Sequence, residues 1–124
     1  LLFLSAGIDV STPNPPPPPA VSAAQQFDVE MTDHRSQPLT LEMMQTTDAI
    51  FVMEIPQLNQ LKRQYPFAAD KIYPLALFED RETAPAGGYE KYNIQDPYGK
   101  SASEFLRCYR RISRCVNYFL QGEL

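Results

Sequence analysis

Asp48-Ala49-Ile50-Phe51-Val52-Met53-Glu54 is the stretch on which the fold turns. Residues 49–53 are apolar without interruption and of strand length, the pattern of a strand covered on both faces in a parallel sheet. A parallel neighbour needs a crossover, and the following sequence supplies one. Pro56 can open a helix, Leu58, Leu61 and Tyr65 recur three and four apart, and Pro66 closes it. The segment 71–78, KIYPLALF, follows as a second strand candidate, with Pro74 asking for an edge or end position.

Upstream, Thr40 is placed to cap a helix whose first turn holds Glu42 and whose apolar face takes Leu41, Met43 and Met44. Leu1 to Leu4 reads as a short buried strand, turning at Ser5-Ala6-Gly7. Residues 11–19, STPNPPPPP, favour extended polyproline geometry and exclude a helix or central strand. Ala20 to Phe27 predicts a short helix, and Phe27-Asp28-Val29 a brief alternating segment. Downstream, residues 79–95 are polar and charged and include Pro85, Gly87 and Gly88, a loop longer than the ordinary connection of about four to six residues. Ser101 and Glu104 then have capping-box spacing. Phe105, Tyr109, Ile112, Val116 and Phe119 draw the stripe of one long amphipathic helix. Strands alternating with helices predict an α/β class built on a mostly parallel sheet.

Composition bounds the rest. The 124 residues suffice for one domain, and six of the twelve prolines fall within residues 13–19, so the remainder is ordinary globular sequence. A net charge of -4 disfavours nucleic acid, and no apolar run is long enough to cross a membrane. Two cysteines and one histidine make neither a disulfide framework nor a metal site. No metal, no cofactor, no membrane partner and a cytoplasmic location are the expectations.

Few residues carry candidate chemistry. Cys108 and Arg114 have the Cys-x5-Arg spacing of a phosphate-cradling loop, but CYRRISR has no glycine and lies within a predicted helix. Six helical steps put the two side chains about 240° apart, which rules the match out. Arg107, Arg110, Arg111 and Arg114 read as a solvated basic face, and His34 as a structural hydrogen bonder. Asp96 is the most suggestive residue. Pro97 stiffens the backbone beside it, Tyr98 adds an aromatic wall and Gly99 lets the chain turn away. A carboxyl group on such a corner can act as a general acid, although Asp-Pro-x-Gly is also a common turn.

Taken in order, these pieces resemble the low-molecular-weight protein tyrosine phosphatases. Ser5-Ala6-Gly7, His34 through Thr40, Asp48 through Glu54, Lys71-Ile72 with Leu75, and above all Ile94-Gln95-Asp96-Pro97-Tyr98-Gly99 before the long final helix are similar to that family's segments. Gln37 and Pro38 depart from its pattern. The resemblance implies a three-layer αβα sandwich around a central, mostly parallel four-stranded sheet. It also implies a single phosphatase-like domain over residues 1–124, interrupted by the proline-rich insertion at 11–19, and a monomer or weak dimer.

The implied chemistry is hydrolysis of phosphotyrosine in proteins, or of small aryl phosphates, through a cysteinyl-phosphate intermediate. Asp96 falls on the family's general acid and base, Tyr98 near the rim that receives the substrate ring, and Pro97, Gly99, Ser5 and His34 on supporting positions. The family's nucleophilic Cys-x5-Arg loop belongs ahead of Ser5, and residues 1–4 hold no cysteine, arginine or glycine. The resemblance therefore implies a further strand-helix unit, with Leu1-Leu2-Phe3 a remnant of the first strand joined to Leu4 across it. Without that unit the alternative is a catalytically dead binding module. A thiol-dependent arsenate reductase would need redox cysteines within residues 79–95, which has none.

Overall fold

The computed structural model describes residues 2–79 and 89–122. Two parallel strands, β1 (Ile50–Val52) and β2 (Ile72–Pro74), pair in the register Ile50 with Ile72, Phe51 with Tyr73 and Val52 with Pro74. Among the described residues four helices accompany them: α1 (Pro18–Gln25), α2 (Leu41–Thr46), α3 (Ile55–Gln64) and α4 (Ala102–Gly122). Short 3-10 turns occupy Pro66–Lys71, Leu75–Phe78 and Tyr89–Tyr92.

The crossover from β1 through α3 to β2 follows from the residues that open and close it. Pro56 sits in the first turn of α3, where its missing N–H is not needed. A capping box joins Glu54 to Gln57, whose Oε1 accepts the N–H groups of Met53 and Glu54 at 3.0 and 3.1 Å. At α2 the expected Thr40 cap forms, its side chain accepting the Met43 N–H at 3.2 Å. Met44, Val52, Leu61, Ala68 and Ile72 close one core between these elements.

The second core lies under α4. Its stripe brings Ile112 and Val116 against Leu75, Ala76 and Ile94, and its most buried side chain is Cys115. Phe119 meets Phe51 of β1 and Phe78 edge to face, at ring separations of 5.0 and 5.1 Å. Farther up the same helix, Phe105 and Tyr109 pack against Ala20 and Ala23 of α1.

Several elements differ from expectation, each for a local reason. The α/β class with a parallel sheet is present, but two strands rather than four form among the described residues. The strand foreseen at the N-terminus is not formed over the described residues 2–4. Leu2 is 87% exposed and Phe3 and Leu4 are also exposed, because a short apolar run is no strand without an edge to pair with. What remains of that pairing is a single parallel bridge between Gly7 and Pro38. The second strand stops at Pro74, beyond which Leu75–Phe78 coils, since proline cannot donate to a ladder.

The first helix starts two residues earlier than foreseen. Pro18 and Pro19 form its opening turn, where fixed φ suits proline and no donor is missed. It also ends earlier. Asp28 adopts φ 58° and the Val29 N–H returns to the Ala24 carbonyl, so 27–29 is a helix stop rather than an extended segment. At α4, Ser101 Oγ pairs with Ser103 Oγ at 2.9 Å, while the Glu104 N–H reaches the Ser101 carbonyl. Most of the long loop, residues 80–88 with Pro85, Gly87 and Gly88, lies outside the described residues.

Candidate active site

The segment 93–99 is pinned to the carboxyl end of β1, the end of a parallel sheet where open α/β folds hold their ligands. Just past that strand end, the Met53 carbonyl accepts the Ile94 N–H at 2.7 Å, and the Ile94 side chain is buried. Asn93 Oδ1 accepts the Ile55 N–H at 2.7 Å, satisfying one of the free donors at the start of α3. From this base the chain rises to Asp96, which is exposed. Asp96 Oδ1 accepts the Tyr98 N–H at 3.0 Å, an Asx turn that orients the carboxylate. Gly99 turns the chain back at φ 79°, a conformation open to glycine and strained for side chains. Tyr98 is 73% exposed, so its ring stands in solvent beside Asp96.

Pro97 is half-buried and supports this corner, whereas Ser5 and His34 are not joined to it by any hydrogen bond among the described residues. Ser5 is exposed, and its carbonyl accepts from Gln37 Nε2 at 2.7 Å. His34 is exposed on a turn closed by its own N–H to the Met31 carbonyl. The hydrogen bonds at His34 run through its backbone rather than the ring, whose exposure leaves it free to bond with water.

The basic face of α4 needs correction. Arg107 and Arg110 are exposed, but the Arg111 guanidinium is turned inward onto a buried carboxylate. Arg111 Nε and Nη2 donate to Glu79 Oε2 and Oε1 at 2.9 and 3.1 Å. Its Nη1 donates to the Asn93 carbonyl at 2.7 Å and Nη2 also to the Lys91 carbonyl at 2.6 Å. The Glu79 side chain is only 2% exposed, and Arg114 adds a longer contact at 3.8 Å. Charge alone suggests solvent. The signal that points inward is position, since Arg111 stands four residues before Cys115 on the buried flank of α4.

Both cysteines fail as nucleophiles. Burial pushes the Cys108 thiol up, the nearby Asp96 charge pushes it further, and Arg111 offsets only part of this. Cys108 donates to the Gln95 carbonyl across 3.8 Å, as a protonated thiol does. Burial, with Glu79 second, raises Cys115 to about 11. A thiolate is what attacks phosphorus, and neither sulfur is held as one. The rejection of the Cys108–Arg114 match therefore rests on the thiol's environment as well as on helix geometry.

Among the described residues there is no group of histidine, cysteine and carboxylate side chains that could hold a metal ion. Among the described residues the candidate site is the Asp96 carboxylate on a stiff corner with an aromatic ring beside it. The profile of the low molecular weight phosphotyrosine protein phosphatases matches residues 3–123. The chain belongs to that family. Its enzyme class is that of a phosphatase, a phosphomonoester hydrolase.

The probable low molecular weight protein-tyrosine-phosphatase EpsP of Ralstonia nicotianae is 27% identical, over 92% of this chain and 71% of its own. Among solved structures, the Erwinia amylovora tyrosine phosphatase AmsI superposes with a TM-score of 0.80 at 23% identity, over 94% of this chain and 71% of that one. The YwlE arginine phosphatase of Geobacillus stearothermophilus also reaches 0.80, at 18% identity, over 96% of this chain and 71% of its own. These superpositions establish the fold. They also show that one fold serves phosphatases named for two different amino acids, so substrate choice has to be argued from the site.

Proposed function

We propose that this phosphatase acts on phosphotyrosine, with Asp96 as its general acid and base. A thiolate attacks phosphorus, the bond from phosphorus to the tyrosyl oxygen breaks, and Asp96 gives its proton to that oxygen as it leaves. In the second step Asp96 removes a proton from the water that attacks the cysteinyl phosphate, releasing phosphate and the free sulfur. In the family pattern the thiolate comes from a Cys-x5-Arg segment ahead of Ser5, and burial pushes both Cys108 and Cys115 up, away from that role.

The observation that carries this reading is the corner itself. An exposed carboxylate, turned by the Tyr98 N–H, is anchored through Ile94 and Asn93 to the carboxyl end of a parallel strand. Tyr98 supports the choice of an aryl ester, because its exposed ring can stack on a phenyl leaving group. The finer readings go with it: one phosphatase domain bearing its proline-rich insertion at 11–19, and a cytoplasmic location, consistent with two free cysteines.

The test is turnover of phenyl phosphate by the full polypeptide and its Asp96→Asn variant. A loss of about 10² to 10⁴-fold in kcat is expected. Equal turnover by the two proteins overturns the role of Asp96, and no turnover by the unaltered protein overturns the phosphatase reading.

A further inference from the structure

We propose that Arg111 is a positioning residue for Asp96, with Glu79 as its buried anchor. The inference rests on the reading of Asp96 above and extends it to the residues that hold the acid in place. Among the described residues Asp96 is exposed and bonded within its own turn. Its position is set by the strand of backbone before it, and that strand is gripped at two carbonyls by one side chain. Arg111 donates to the carbonyls of Lys91 and Asn93, five and three residues before Asp96.

The remaining donors of Arg111 fix the guanidinium itself. Nε and Nη2 lie against the two oxygens of Glu79, in the parallel fork that holds an arginine plane rigidly. Glu79 in turn closes the Leu75–Phe78 turn, its N–H bonded to the Ala76 carbonyl. The plane is thus tied to α4 through its own stem, to the turn Leu75–Phe78 after β2 through Glu79, and to the acid loop through two carbonyls. With Ile94 on Met53 and Asn93 on Ile55, the loop base is held from three sides. A lysine in this place keeps the charge but cannot reach a carboxylate and two carbonyls with a planar fork.

Positioning and simple stabilisation leave different marks. An acid moved by about 1 Å costs proton transfer about 10²-fold; in the first step, which kcat/KM reports, that loss falls only where the leaving oxygen needs the proton. Dinitrophenolate leaves without assistance, whereas phenolate does not. The measurement is therefore kcat/KM of the full polypeptide on phenyl phosphate and on 2,4-dinitrophenyl phosphate, since that ratio reports the step in which the ester's oxygen leaves. The variants are Glu79→Met/Arg111→Met, which removes both buried charges together, Arg111→Lys, and Asp96→Asn as reference.

The double variant is expected to lose about 10²-fold in kcat/KM on phenyl phosphate, with a far smaller loss in kcat/KM on the dinitrophenyl ester. Arg111→Lys is expected to show the same split, reduced, and carries the test alone if the double variant does not fold. Equal losses on both esters, or none, overturn the positioning role while Asp96→Asn still shows the split. If Asp96→Asn shows no split, the reading of Asp96 itself has failed, and the role of Arg111 goes with it.

Discussion

Replacing Glu79 by methionine removes a carboxylate whose side chain is 2% exposed and leaves the Arg111 guanidinium beside apolar atoms. Two charge-assisted bonds are lost, at 2.9 and 3.1 Å, and with them the neutralisation of a cation that is itself only 18% exposed. Breaking a buried pair from one side costs about 3 to 5 kcal/mol. Arg111 keeps its carbonyl bonds to Asn93 and Lys91, so the lower end, about 3 kcal/mol, is expected.

Arg111→Met is expected to cost at least as much, because it leaves the more buried partner with Arg114, at 3.8 Å, as its one remaining cation among the described residues. Replacing both by methionine removes both charges from the interior, and the pair is expected to fall within about 1 kcal/mol of the starting protein. Urea unfolding of the four proteins gives the coupling energy directly, provided the slopes agree. A loss below about 1 kcal/mol for Glu79→Met, the size of a surface ion pair, refutes the reasoning. So does a double variant in which the two losses simply add.

Two further outcomes follow from burial. Met44→Ala hollows the core between α2 and the sheet, where Met44 has no exposed surface, and is expected to cost about 2 to 5 kcal/mol in urea unfolding; a loss under about 1 kcal/mol contradicts that packing. Burial pushes the Cys115 thiol up from an ordinary 9.0 to about 11, so folding favours the protonated thiol. Its contribution, about 2 to 3 kcal/mol by linkage, is full below pH 9 and is lost as pH rises toward 11. Cys115→Ala should flatten that loss, and parallel curves for the two proteins contradict the burial of the thiol.

Much of the architecture was legible because the residues that set it act locally. DAIFVME, the Thr40 cap, Pro56 and the α4 stripe declare a strand, two helix starts and a buried face through spacing alone. The misreadings arose where a partner decides. Leu2 to Leu4 look like a strand, but a strand is a relation between two segments, and only the bridge from Gly7 to Pro38 is formed. Pro18 and Pro19 look like helix breakers, yet at the first turn the same rigid φ starts a helix.

At the site, Asp96 was visible because Pro97, Tyr98 and Gly99 surround it with stiff and permissive residues that announce a corner. Arg111 was not, since its meaning depends on Glu79, 32 residues away, and on two carbonyls that no residue type reveals. Asn93 was missed for a similar reason. Its side chain caps α3 across 38 residues, a job that local spacing cannot show.

The central claim, that Asp96 protonates the leaving oxygen, is tested most directly by a series of aryl phosphates with leaving groups of graded acidity. The full polypeptide is predicted to give kcat/KM values nearly independent of leaving-group pKa, and Asp96→Asn kcat/KM values that fall steeply as that pKa rises. The same shallow dependence in both proteins contradicts the claim.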